Sequence, residues 1–259
     1  MRIADAFNKR KAFIAFITCG DPTLEETEKI LLEMEKGGVD LIELGIPFSD
    51  PTAEGPVIQG ANIRALSGGV TTDKIFEMVR RVRPNLSVPL VFMTYANVVF
   101  SYGVERFART CAEIGMNGII LPDVPFEEKH EFSDVFEKYG LDFISLIAPT
   151  SEGRISLIAQ EAKGFVYCVS SLGVTGTRDS ISTNVSQIVD RVKAVTDTPA
   201  AVGFGISSPK QAAEIAKYAD GIIIGSAIVR LIGQYGTEAH EKVFEFTKDV
   251  RNALDSIEK

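Results

Sequence analysis

The chain has 259 residues, 45% hydrophobic and 24% charged, the composition of an ordinary globular protein rather than a disordered one. Its formal charge of −8 argues against a nucleic-acid or anionic-membrane surface. An anionic small molecule is still allowed, because main-chain amides and helix ends hold phosphate without basic side chains.

The opening segment, MRIADAFNKRKAFIAFITCG, sets charges before a short apolar run, as weak signal peptides do. No A-x-A-like site follows, and Phe13–Thr18 reads as a first strand. Glu25–Glu35 then carries Ile30, Leu31 and Met34 on one helical stripe. Leu41–Leu44 and Val88–Met93 read as the next strands, followed by a helix over Phe107–Ile114. Strand Gly118–Leu121, helix Phe126–Tyr139, strand Asp142–Ile147 and helix Ile155–Ala162 continue the alternation. Strand Phe165–Val169, helix Val185–Val195, strand Ala200–Gly203, helix Pro209–Ala219 and strand Gly221–Ile224 complete it, before a last helix over about Ala239 to Ile257. Eight short strands alternating with helices favour a closed (β/α)8 TIM barrel with extra short helices, one domain over residues 1–259. An open doubly wound sheet would carry a Gly-rich turn after its first strand, where this chain has TCGDP. No stretch approaches the length of a transmembrane helix, and the expectation is a soluble cytoplasmic protein. Cys19, Cys111 and Cys168 lack CxxC spacing, fit a reducing compartment and read as small core residues.

In a barrel, chemistry belongs at the C-terminal ends of the strands. Glu43 lies in the apolar run LIELG, where a carboxylate is costly to desolvate unless paired, protonated or used. Strand alternation puts Leu41, Glu43 and Gly45 on one face, aiming Glu43 into the barrel mouth, where apolar walls raise its pKa. The competing reading is a structural carboxylate paired with a buried Arg or Lys. Asp50 and Glu54 follow on a loop stiffened by Pro51 and Pro56, and Ser-Asp-Pro is also good turn chemistry. Two carboxyls in different surroundings can divide acid and base duties. GVTGT (173–177), GFGISSP (203–209) and GSAIV (225–229) are Gly-rich turns at strand ends, the last opening another short helix, and are suited to a phosphate dianion. Tyr167 and Tyr95 near strand ends could offer hydroxyls, and Phe16 and Phe204 could wall a pocket, although core packing accounts for such residues equally well. His130 and His240 lack metal-ligand spacing and read as surface residues; no metal is expected.

With these residues in view, the chain resembles the tryptophan synthase α subunit family nearly end to end. ELGIPFSDPTAEGPVIQ is similar to the family's strand-two glutamate and the catalytic loop after it. ITCGDP, MTYAN, LPDVPFEE, GVTG, GFGISSP and GSAIV fall in the family's order. The resemblance implies a lyase that cleaves indole-3-glycerol phosphate, by a retro-aldol reaction, to indole and glyceraldehyde 3-phosphate. It implies no cofactor in this chain. The implied partner is a β subunit that binds pyridoxal phosphate and receives indole through a tunnel, in an α2β2 heterotetramer. By motif, Glu43 matches the general acid–base, and Glu54 the carboxylate that stabilises charge on the indole nitrogen. Tyr167 matches a tyrosine close to the reacting groups; Phe16, Tyr95 and Phe204 match pocket residues. Gly176, Gly205, Gly225 and Ser226 match the phosphate cradle, and Thr175 a threonine that helps close the site. Asp50 and Pro51 match positions near the β-subunit contact, a surface that Asn97 and the apolar tip ending at Phe100 extend. Glu54 departs from the family's usual aspartate, lengthening the side chain by about 1.5 Å, one carbon–carbon bond. That departure keeps open a second reading, a weakly active α-type subunit acting mainly as allosteric activator of its partner. An isomerase of histidine biosynthesis on the same fold would show half-barrel repetition and paired strand-end aspartates, neither of them evident here.

Overall fold

Nine parallel strands make the barrel wall: β1 (Ala12–Thr18), β2 (Leu41–Gly45), β3 (Leu90–Met93), β4 (Gly118–Ile120), β5 (Asp142–Phe143), β6 (Ser145–Ile147), β7 (Val166–Val169), β8 (Ala200–Gly203) and β9 (Gly221–Ile224). The computed structural model describes residues 2–148, 151, 153–169, 178–203 and 205–257, with 178–184 described by backbone alone. The sheet order is β5-β4-β3-β2-β1-β9-β8-β7-β6. Its two ends, β5 and β6, are consecutive halves of the expected fifth strand, divided at Ile144. The first half pairs with β4 and the second with β7. The Ile144 N–H still donates to the Ile119 carbonyl at 2.9 Å, so the wall closes as eight staves. The (β/α)8 expectation holds, with its fifth strand split between two neighbours.

Both faces of the wall are covered, which is why the strands read as near-continuous apolar runs. Inward residues Ile14, Leu41, Val91, Ile120, Ile144, Phe165, Ala201 and Ile223 form the inner core. The alternate positions, among them Phe13, Ile17, Ile42, Phe92 and Ile222, pack under the helices. A 3-10 turn at Ile3–Phe7 stops the N-terminal end of the barrel: Ile3 and Ala6 join the inner core, and the Phe7 ring lies 5.8 Å from that of Phe165. Gly221 makes room for this stopper, since a Cβ there would sit 3.0 Å from the Phe7 ring.

The helices are α1 (Leu24–Lys36), α2 (Pro56–Ser67), α3 (Thr72–Val82), α4 (Ala96–Tyr102), α5 (Val104–Glu113), α6 (His130–Lys138), α7 (Ile155–Gln160), α8 (Arg178–Lys193), α9 (Pro209–Ala216), α10 (Ser226–Tyr235) and α11 (Ala239–Asp255). Three of them, α2, α3 and α4, are additional to the expected set. The expected helix over Phe126–Tyr139 begins as a 3-10 turn, Phe126–Glu128, before α6, and α8 starts seven residues earlier than Val185. His130 is exposed as expected, whereas His240 is not a free surface residue: its Nδ1 lies 2.7 Å from Oε1 of buried Glu26, tying α11 to α1. All three cysteines are buried and free. Among the described residues no helix is long and apolar enough to cross a membrane.

Candidate active site

β1 and β2 run side by side with Phe16 opposite Glu43, and both side chains fall on the inward alternation. Glu43 is fully buried, and neither carboxyl oxygen has a hydrogen-bond partner. The reading of Glu43 as half of a structural ion pair therefore fails among the described residues. Burial pushes its pKa from 4.5 to about 8. At neutral pH the group is mostly protonated and able to donate.

Glu43 opens on a cavity of about 560 Å³, within the size range of small-molecule sites. Phe16, Glu54, Tyr95, Tyr167, Gly205, Gly225 and Ser226 line the same cavity. Thr175, Gly176 and Phe204 lie outside the described residues. Two strand glycines seat the aromatic walls. A Cβ on Gly45 would lie 2.7 Å from the Phe16 ring, and one on Gly203 2.7 Å from the Tyr167 hydroxyl. Burial, and secondarily the Glu43 carboxyl, hold the Tyr167 phenol neutral, well above its ordinary pKa.

Glu54 is half-buried on the loop between β2 and α2. Its Oε2 accepts from the Asn62 amide at 2.6 Å, and its main-chain carbonyl accepts from Gln59 Nε2 at 2.8 Å. Burial raises its pKa, while hydrogen bonds with Asn62 and Tyr95 act in the opposite direction. The Tyr95 hydroxyl accepts the Ala53 N–H at 3.2 Å, and burial chiefly pushes its pKa up to about 12. The two carboxyls thus differ in kind: Glu43 has no donor, whereas Glu54 interacts with Asn62 and Tyr95.

The helix starts after β8 and β9 also differ. At α9, Ser208 Oγ accepts the Gln211 N–H at 3.3 Å, Gln211 Oε1 accepts the Ser207 N–H at 2.9 Å, and Pro209 has no N–H. α10 follows Gly225, which provides no side-chain cap, so its first-turn N–H groups lack intrahelical acceptors, and Gly225 and Ser226 line the cavity. Gly205, at φ +82, lines the same cavity in a conformation natural to glycine. An uncapped helix start beside two glycines has the chemistry to hold a dianion.

The four positions expected at a partner surface lie outside this cavity. Asp50 is exposed and accepts from Ser49 Oγ at 2.5 Å, and Pro51 is half-buried. Asn97 and Phe100 are exposed on α4, with the Phe100 ring 4.7 Å from that of Phe132. Sequence reasoning missed Asn62, which donates to Glu54, Ile58 and Met93, which line the cavity, and Asp123, whose carboxylate accepts the Ala96 N–H at the start of α4 (3.1 Å). No group of three or more His, Cys, Asp or Glu residues suited to a metal occurs among the described residues.

A family model described as tryptophan synthase alpha chain matches residues 3–258. The chain belongs to that family. It is 46% identical over 255 residues to the tryptophan synthase alpha chain of Lacticaseibacillus casei, covering 98% of this chain and 96% of that one. Against the alpha chain of Alkaliphilus metalliredigens the identity is 47% over 245 residues, 95% and 92% of the two chains. The crystal structure of the Legionella pneumophila alpha subunit superposes with a TM-score of 0.89 at 36% identity, covering 99% of this chain and all of that one. A Mycobacterium tuberculosis tryptophan synthase structure in an aminoacrylate-bound form gives 0.86 at 34% identity, covering 98% and 99%. Family membership makes the chain a lyase of tryptophan biosynthesis that cleaves indole-3-glycerol phosphate in the alpha-subunit role.

Proposed function

We propose that Glu43 carries the proton in this cleavage, with Glu54 as the fixed negative charge beside the indole nitrogen. The observation that carries the reading is a fully buried carboxyl, without a partner for either oxygen, opening on a cavity that also meets an uncapped helix start. The substrate's phosphate sits on the first turn of α10 with Gly205, Gly225 and Ser226, assisted by Thr175 and Gly176. The indole ring lies among Phe16, Tyr95, Tyr167 and Phe204.

Protonated Glu43 gives its proton to the ring carbon bearing the glycerol chain, producing an electron-deficient indolenine. The Glu54 carboxylate stabilises the charge that develops at the ring nitrogen. The carbon–carbon bond then breaks and its electron pair returns to the ring, while the glycerol hydroxyl becomes the aldehyde. Glu43, now a carboxylate, takes that hydroxyl proton and is regenerated. Burial favours the uncharged, proton-bearing form of the acid.

The same reading assigns one barrel domain over residues 1–259, a cytoplasmic setting and an α2β2 assembly. Asp50, Pro51, Asn97 and Phe100 face the β subunit, and pyridoxal phosphate resides in that subunit. Indole release from indole-3-glycerol phosphate, measured for the chain alone and with a β subunit, tests the proposal. Glu43→Gln is expected to abolish release while leaving glycerol-phosphate binding by calorimetry unchanged; wild-type turnover in that variant rejects the role. A chain that releases no indole yet accelerates its partner would be an activator instead, the reading that the Glu54 departure keeps open.

A further inference from the structure

We propose that Asn62 is a positioning residue that fixes the Glu54 carboxylate and keeps its negative charge available to the substrate. The inference rests on the role just proposed for Glu54. A carboxylate only accepts hydrogen bonds, so the amide presents its NH2 group, and the 2.6 Å Nδ2–Oε2 separation is short for such a pair. Asn62 is 4% exposed and shares the inner side of α2 with Ile58, Ala61 and Ala65. A lysine or arginine would neutralise the charge that the indole nitrogen needs, and an apolar residue would leave Tyr95 as the remaining side-chain hydrogen-bond partner of the carboxylate. A neutral donor stabilises the anion without consuming its charge.

The donor is mounted on a braced element. Two residues further along α2, Arg64 grips Asp21 with two hydrogen bonds, Nε–Oδ1 at 2.7 Å and Nη2–Oδ2 at 2.8 Å. The Asp21 side chain is fully buried in the loop after β1, so the fork pins the rotation and height of α2 against the barrel. At the other end of the helix, the Gly55 carbonyl accepts from the N–H groups of Ile58 and Gln59, at 3.1 and 3.0 Å, tying the Glu54 loop to the first turn. Glutamate has one more rotatable bond than aspartate, so its carboxylate needs an external anchor to occupy a single position. Asn62 supplies it. The hydrogen bond also opposes the upward pull of burial on the Glu54 pKa.

The test uses the full chain with its β subunit, assayed for indole release from indole-3-glycerol phosphate across pH. Asn62→Ala is expected to lower kcat by about ten- to a hundredfold with little change in KM, the scale of a misplaced reacting group. It also moves the acid limb of the kcat profile to higher pH, because Glu54 loses a donor that favours its ionised form. The isosteric Asn62→Asp moves the limb further, since two carboxyls at that distance cannot both ionise. In a Glu54→Gln background, Asn62→Ala adds little further loss, as expected of two residues acting as a unit. Unchanged kcat and acid limb, losses that add independently, or unfolding of both single variants would overturn the proposal and leave Asn62 a packing residue. Failure of the wild-type complex to release indole would instead overturn the reading of Glu54 on which this rests.

Discussion

Glu43 has a measurable signature in stability as well as in rate. Its pKa is raised to about 8 in the fold against an ordinary 4.5, so between those values the native state holds a proton that the unfolded chain has released. Stability from this group is full below about pH 4.5 and is lost as pH rises through about 8. At roughly 1.4 kcal/mol per unit, the cost at pH 9 amounts to a few kcal/mol. Glu43→Gln cannot ionise, so its melting temperature is expected to gain on wild type steadily between pH 5 and 9, as calorimetry at several pH values would show. An unchanging gap would mean that Glu43 titrates normally. On the proposed role, wild-type kcat is expected to fall on the basic side with an apparent pKa near 8, as Glu43 loses its proton. Glu54→Gln is expected to cut kcat by about a hundredfold or more while sparing phosphate affinity, the usual loss when a transition-state charge partner is removed.

At the scale of elements, a strand carries Glu43, a loop carries Glu54, and α2 holds the donor that binds Glu54. Gly203→Ala would put a methyl 2.7 Å from the Tyr167 hydroxyl, the free end of a long side chain that can swing into the cavity. The fold should tolerate it, with melting nearly unchanged, while kcat drops about tenfold or more as the ring enters the substrate's space. Arg64→Met would strand the buried Asp21 carboxylate without its fork. The expected loss is roughly 1–3 kcal/mol, less than for a fully buried pair because the Arg64 side chain is 41% exposed. Denaturant titration would measure it, and Asp21→Asn/Arg64→Met should recover part of the loss. The strands were legible because each is an apolar run buried on both sides, and Glu43 stood out as the charge inside one. α3 was legible too, with Ile75, Phe76, Val79 and Val82 on one stripe, although the reading passed over it. α2 was not, because after Ile58 its buried face is made of Ala61, Asn62 and Ala65, too small and polar to make a stripe. With α2 unseen, Asn62 could not be connected to Glu54, eight positions before it. The split at Ile144 was equally hidden, since pairing partners leave no mark in an apolar run.

For the whole molecule, the mouth of the barrel and the exposed rim beside it are adjacent but chemically separate. Phe100, 53% exposed and tilted against Phe132, is a large apolar group on the proposed partner side. Phe100→Glu is expected to weaken association with the β subunit at least tenfold in a sedimentation titration, with melting and isolated indole release little altered. Loss of the isolated activity would instead place Phe100 in the barrel's own machinery. The stopper at Ile3–Phe7 bears on how such a pair of subunits could operate. Among the described residues, Ile3, Ala6 and Phe7 close the base of the barrel against Phe165, like the base of a flask. On the proposed roles, a small greasy product made beside Glu43 would leave toward the neck, where a companion docked over the rim would meet it, and vectorial transfer would need no pump.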